Sequence, residues 1–425
     1  MKPNKDAISI LVAVLVTIPG VYLRLAGIHL DPLPMAFFAG LAILGASFLV
    51  LWACDVCQED VSQTLAIALV ALVAVLPEYA VDMYFTWMAG RHPEGQYAHY
   101  AIANMTGANR LLIGIGWPVM VFIAWVRMRS SVLLDKERAT ELLFLGAATL
   151  YAFVVVIKGT LAWYDCIVFV ALFVWYIIIA SKRPCVGCKL VGPAMLIGSL
   201  SVAWRRVTTV TMFIYAAAAI VANAEPFSEG LVNTGKAFGI NEFLLVQWLA
   251  PIASEAPEFA VAIMFASRGQ PGLALGALVS SKLNQWTLLV GMIPGVYALA
   301  SRQLVQPIPM SSLQMHEILL TAAQSLLGVV LLVGFRLTFR EAVVLLTLFL
   351  GQFILSPVAD SLVARGVLSI SGDVVHQVFS AVYIGTAVAL ILRRPSRFRS
   401  LAQGLKVVPD LSLLDGLEKG GKGGE

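Results

Sequence analysis

The chain has 425 residues, 59% of them hydrophobic and 13% charged, with a formal net charge of +4. Soluble domains carry about 25% charged residues, so a string of soluble domains is excluded, and a mean hydropathy of +0.86 points to lipid as the solvent. No nucleic-acid partner is expected; the net charge says little by itself, because in such a chain the placement of Lys and Arg carries the information.

A bilayer core is crossed by roughly 20 apolar residues in helix. Twelve segments qualify in chain order: 8–30, 34–53, 64–89, 98–126, 140–157, 160–180, 206–223, 242–267, 272–298, 316–335, 341–360 and 374–392. Met1–Asp6 is basic but no small-x-small cleavage pattern follows, so the first segment reads as a retained helix. The stretch 190–203 is interrupted by glycine and proline and reads as an interfacial piece of a linker. The tail from Pro395 is expected to be disordered. With the N-terminus placed in the cytoplasm, 21 of the 29 basic residues fall on the inner side and six on the outer, while Arg110 and Lys282 lie inside spans. Adding or losing one span would mix these sets. The expected fold is an all-α polytopic membrane protein of about 12 transmembrane helices, with both termini cytoplasmic, in the plasma or inner membrane.

Six ionisable residues sit at depth: Glu78, Asp82, Arg110, Glu255, Glu258 and Lys282. A charge at a helix centre costs roughly 2.5–3.5 kcal/mol on the insertion scale, so such residues mark an ion or substrate path. The plain alternative is a set of ion pairs that only holds helices together. The charges fall in two related segments, Val75-Leu76-Pro77-Glu78-Tyr79-Ala80-Val81 and Glu255-Ala256-Pro257-Glu258-Phe259-Ala260-Val261, whose Pro-Glu pairs are 180 residues apart. Each is followed by a helix of similar pattern, through Asn104 and Asn109 in one and Ser281 and Lys282 in the other. The Pro-Glu spans are the third and the eighth. An odd separation makes the two copies cross the membrane in opposite directions, the inverted-repeat logic of secondary transporters.

Pro77 and Pro257 lack an N–H and are expected to break their helices, freeing the carbonyls of Val73 and Ala253. Bare carbonyls at membrane depth are tolerated where they line a cavity. Beside carboxylates they make hard oxygen ligands suited to Na⁺ or Ca²⁺. Glu78 and Asp82 share a helix face, as do Ser254 and Glu258, and Glu255 and Gln285 complete the candidate set.

At these residues the sequence resembles the cation/calcium exchanger superfamily, of the sodium/calcium exchanger type. Each repeat of that family reads approximately Gly-Thr-Ser-Leu-Pro-Glu, then Gly-Asn-x-x-Gly-Ser-Asn on the next helix. Leu76-Pro77-Glu78, Pro257-Glu258 and Asn104-x-x-Gly107-Ala108-Asn109 match, with Ser281-Lys282 the later counterpart. The first copy is longer by seven residues, which are expected in the loop around Arg91–Tyr100. The resemblance implies a ten-helix core of two inverted five-helix repeats, 34–181 and 206–362, with a cytoplasmic linker at 182–205. Helices at 1–33 and 363–394 would be additions, and 395–425 a tail. It also implies that spans two and seven slide as gating helices, and that the chain is a cation antiporter exchanging Ca²⁺ or another cation for Na⁺ or H⁺ at Glu78 and Glu258. Its partners would be the lipid bilayer, inorganic cations and protons, with no cofactor beyond the transported ion.

The sequence departs from the family where Ala74 and Val75 replace hydroxyl residues, where Glu255 adds a carboxylate and where Lys282 stands for a neutral ligand. Arg110 follows Asn109 and is expected to act as a charge partner, giving four acids against two bases and a charge of about −2. Lys282 then reads in one of two ways: as a stand-in for a bound cation, favouring proton-coupled or Na⁺/H⁺-type exchange, or as a simple partner of Glu255. A degenerate exchanger that no longer moves ions is a further alternative.

Cys54-x-x-Cys57 and Cys185-x-x-Cys188 have the spacing of half zinc sites. A shared structural Zn²⁺ competes with the reading of plain reduced thiols. Tyr164-Asp165 and Gly372-Asp373 faintly resemble intramembrane aspartyl protease motifs, but Ile370 breaks the second, and no other enzyme motif is present. The chain is expected not to be an enzyme. His92 and His99 read as loop residues.

Overall fold

The computed structural model describes residues 5–61, 75–182, 190–303, 305–367 and 369–393. Its helices follow the apolar runs because backbone polar groups in lipid must be paired within their own segment. They are α1 Lys5–Leu25, α2 Pro32–Cys57, α3 Leu76–Arg91, α4 Tyr97–Met128, α5 Ala139–Lys158, α6 Trp163–Ala180 and a short α7 Pro193–Gly198. Then come α8 Val202–Phe238, α9 Glu242–Ser267, α10 at residues 271–301, α11 Ser312–Leu332, α12 Phe339–Ala364 and α13 Gly372–Arg393. Among the described residues ten helices are long and apolar enough to cross a membrane. Helices α3 and α10 occupy the other two of the twelve expected positions. Residues 64–74 of the expected third span, Cys185, Cys188 and the tail from Pro395 lie outside the described residues.

One expectation is corrected here. The seventh span does not stop at 223 but continues to Phe238 as a 37-residue helix, about 55 Å long. Its polar second half stays helical because Asn223 and Ser228 are buried, and because Glu229 accepts hydrogen bonds from Tyr84 and Tyr97, each at 2.8 Å. The stretch 190–203, read as an interfacial piece of the linker, holds the short α7 and the first residues of α8.

The inverted relation of the halves is visible in three independent features. Both α4 and α10 widen into a single π turn, at Leu112–Gly116 and Gln285–Leu289. These turns begin 34 residues after Glu78 and 27 after Glu258. Of the seven additional residues, four lengthen α3 by a turn, two lengthen the following loop and one lies in α4; most are therefore in helix rather than in the loop. The connections pair reciprocally as well. Val132-Leu133, after α4, is antiparallel to Arg336-Leu337, after α11, and Leu161, after α5, bridges to Ile308, after α10. Exchanging the halves turns one pairing into the other. Finally, α3 packs on α10 while α9 packs on α4, so each Pro-Glu helix rests on the opposite repeat.

Helices α2 and α8 lie along one another, with α1 against both. Arg24 of α1 reaches Glu225 of α8 at 2.6 Å, and Gly20 lets α1 approach so closely that a Cβ there would stand 2.7 Å from the Ala42 Cβ. Leu11, Leu15 and Tyr22 on α1, Val174 and Ile178 on α6, and Val378 and Val382 on α13 point outward and are exposed. Lipid is the solvent that makes such a surface stable.

At the end of α2, Asp60 binds Arg205 at 2.7 Å and Arg206 at 3.0 Å. Hydrogen bonds from Arg205 first, and then from Arg206, hold its carboxyl down to about 2. A carboxylate lowered in the folded state stabilises above its ordinary range and loses that contribution as pH falls through the folded value. Asp60→Asn should therefore lower the melting temperature in detergent at pH 7, by no more than about 2–4 °C for a surface pair. The gap from the unsubstituted protein should close as pH falls towards about 2. A pH-independent gap would assign the effect to packing.

Candidate cation site

The site is assembled from α3, α4, α9 and α10. Helix α3 starts after a non-helical Val75 (φ −95°, ψ 9°) with Pro77 in its first turn, where a missing N–H removes no bond. Pro257 is a correction: α9 runs unbroken from Glu242 to Ser267 with Pro251 and Pro257 inside it. Packing against α4 and α10 keeps the chain helical although a proline deletes one backbone bond.

Glu78 is 2% exposed, and among the described residues neither of its carboxylate oxygens has a hydrogen-bond partner. The charges acting on it are those of Glu258, Glu255 and Asp82, so the two repeats bring their acids together. Glu258 accepts from Ser281 Oγ at 2.6 Å. Glu255 accepts from Gln285 Nε2 at 3.1 Å on one oxygen and has no hydrogen bond on the other. Asp82 is fully buried and accepts from Asn104 Nδ2 at 2.7 Å, again through one oxygen only. Ser254 does not join them; its hydroxyl turns back to the carbonyls of Ala250 and Pro251.

The bases behave differently from each other. Lys282 is fully buried and donates to Asn109 through both the backbone oxygen, at 3.2 Å, and Oδ1, at 2.7 Å. The Trp286 ring lies 4.4 Å from its Nζ. Lys282 and Glu255 form no contact ion pair: both oxygens of Asn109 take Lys282 Nζ, and the two side chains act on each other only at longer range. Arg110 turns away from the carboxylates, although its charge still acts on Lys282. It pairs with Glu317 of α11 and lies over the Trp248 ring at 5.1 Å, since adjacent helical residues point about 100° apart. Its expected role as charge partner is therefore corrected, and the cluster holds four acids against Lys282 alone, a formal charge of −3 rather than −2.

Sequence reasoning missed two participants. Tyr79 donates to Asn284 Oδ1 at 2.7 Å and ties α3 to α10; its position beside Glu78 was the available signal. Glu317 lay at the edge of a span and gave none. Cys54 and Cys57 are buried free thiols, the Cys57 thiol donating to the Cys54 carbonyl at 3.2 Å. Among the described residues no group of three His, Cys, Asp or Glu stands close enough to hold a metal ion as it is, the acids of this cluster included; the zinc reading gains no support, and a cation bound at the cluster must draw its carboxylates closer together. Asp165 is occupied by Lys158, by Tyr151 at 2.7 Å and by the Ala162 N–H at 2.6 Å, closing the start of α6.

A family model described as sodium/calcium exchanger protein matches residues 33–182 and 208–358. Among solved structures, the H⁺/Ca²⁺ exchanger CAX is 38% identical, with 96% of this chain and 99% of that chain covered, at a TM-score of 0.86. The sodium-calcium exchanger NCX_Mj, soaked with 10 mM Na⁺ and zero Ca²⁺, is 20% identical over 74% of this chain and 95% of that one, at a TM-score of 0.50. That second likeness speaks to the fold. Comparison with curated protein sequences finds no match.

The closeness of α4 to α9 can be tested at Gly107, where a Cβ would stand 1.8 Å from the Gln247 carbonyl oxygen. Gly107→Ala should force the helices apart, costing about 1–3 kcal/mol as overpacking, and should lower both melting temperature and flux. Gly146→Ala, whose Cβ would meet only Val329 Cγ1 at 3.7 Å, should leave both unchanged.

Proposed function

Because the chain belongs to the sodium/calcium exchanger protein family, we propose that within cation antiport it exchanges Ca²⁺ for protons by alternating access, at a midplane site of Glu78, Glu258 and Glu255. The observation that carries this reading is the set of carboxylates from both repeats, those of Glu78, Asp82 and Glu255 buried with unpartnered oxygens and that of Glu258 half-buried, beside a sequestered Lys282. The likeness to an H⁺/Ca²⁺ exchanger over nearly the whole chain supports it.

A carboxylate cannot cross a low-dielectric interior uncompensated. One Ca²⁺, or two protons, removes two of the cluster's three formal negative charges, so either cargo makes passage feasible and an empty site does not. This requirement couples the two fluxes. Glu78 and Glu258 supply hard oxygens from opposite repeats; Asp82 and Glu255 add further oxygens, steadied by Asn104 and Gln285. Lys282 takes the part of a monovalent ion, since its ammonium is held by two carbonyl-type oxygens as Na⁺ would be. With that place filled by a side chain, sodium has one site fewer and protons become the better counter-ion. Helices α2 and α8, packed along one another, are the sliding element that opens the cluster to one face and then the other.

Two measurements test this in proteoliposomes. Outward proton gradients should drive ⁴⁵Ca²⁺ uptake, and Glu78→Gln or Glu258→Gln should each reduce it to background, at least about a hundredfold, since each removes a charge the cargo must neutralise; flux that survives both separates these residues from transport. Lys282→Asn should make the flux sensitive to Na⁺ and change the ratio of protons to Ca²⁺, and an unaltered ratio removes the role given to the ammonium.

A further inference from the structure

Helices α4, α9, α11, α12 and α13 line a half-open cavity of about 210 Å³, apart from the cation cluster. The last of these helices lies beyond the residues matched by the family model. At the cavity's inner end Arg110 and Glu317, each 1% exposed, form their ion pair. Glu317 also accepts from Gln247 Nε2 at 2.9 Å, and its other oxygen lies 3.4 Å from Nδ1 of His376. His376 is 8% exposed. Gln352 lines the same cavity at 1% exposure, and among the described residues neither its amide nitrogen nor its oxygen is hydrogen-bonded. Asp360 and Asp373 line the cavity too, Asp360 accepting from the Gly372 N–H at 2.7 Å and Asp373 lying 3.7 Å from His316. The volume accommodates several water molecules, which the Gln352 amide is built to bind.

We propose that His376 is a second proton-binding residue, reached from the face that carries the α12–α13 turn, and that the cation cluster senses its proton through Glu317 and Arg110. The groups acting electrostatically on His376 are Glu317 from α11, Arg110 from α4, Asp360 from α12 and Asp373 from its own helix; α9 contributes the neutral Gln247. Imidazole is the side chain that changes charge near neutral pH. With His376 neutral, Glu317 serves Arg110. With His376 protonated, one carboxylate is divided between two cations. Arg110 is joined through one peptide bond to Asn109, whose oxygens hold Lys282. Added positive charge there opposes cation binding at Glu255, because charges interact strongly in a poorly screened interior. Proton and cargo thus compete without sharing a ligand, a coupling between separate sites. The transport consequence, though not the titration, rests on the antiport reading above.

Full-length protein labelled with ¹⁵N-histidine in lipid nanodiscs provides the test. The chain has five histidines, and the resonance lost in His376→Gln belongs to His376. It should titrate between about pH 5 and pH 8, with a midpoint displaced by about one pH unit or more in Glu317→Gln. In proteoliposomes, ⁴⁵Ca²⁺/Ca²⁺ exchange at matched pH should show KM for Ca²⁺ rising as pH falls. His376→Gln should lose about fivefold or more of that rise, with kcat at high pH unchanged. A His376 resonance that does not titrate, or superimposable KM profiles, overturns the proposal. Absence of Ca²⁺ exchange in the unsubstituted protein would count against the antiport reading, and the resonance would still decide for or against proton binding at His376.

Discussion

Charge neutrality in a medium without water is the constraint on which this molecule is organised. Four carboxylates from two helices of opposite repeats are gathered where lipid excludes ordinary solvation, with one ammonium among them. Neutral donors such as Ser281, Gln285 and Asn104 orient individual oxygens, but they cancel no charge. On the antiport reading proposed above, the remaining deficit is met by what enters, so binding and movement become the same problem. A fully paired cluster would be more stable and would have nothing to carry.

The Arg110–Glu317 ion pair shows the contrast. Its two charges balance, with Gln247 and the Trp248 ring beside them. With His376 neutral, the pair holds its helices in register and carries no net charge. That these two clusters, one with a charge deficit and one balanced, are fed by neighbouring positions on α4 follows from helical geometry: Asn109 faces α10 and Arg110 faces α11.

The spans were largely legible in the sequence because lipid imposes a length and an apolarity that no tertiary contact overrides; the reading of 242–267 coincides with α9. The limits came where tertiary partners decide. Glu225 and Glu229 look like loop residues until Arg24, Tyr84 and Tyr97 are seen to receive them. The grouping of Glu78, Glu255 and Glu258 could be inferred from their repeated setting beside proline. The direction of Arg110 could not, because adjacency along the chain says little about adjacency across a helix. Pro257 misled for a related reason: a missing backbone donor weakens a helix, and neighbours that grip both sides keep it whole.

The contact at Gly107 limits how the transporter can move. Its Cα lies against the peptide backbone of Gln247, with no side chain between them to flex or change rotamer. A seam of main chain against main chain thus sets a helix of the first repeat on one of the second. Under the alternating-access reading proposed above, so close a fit favours passage of other helices over the α4–α9 block rather than a parting of the block itself.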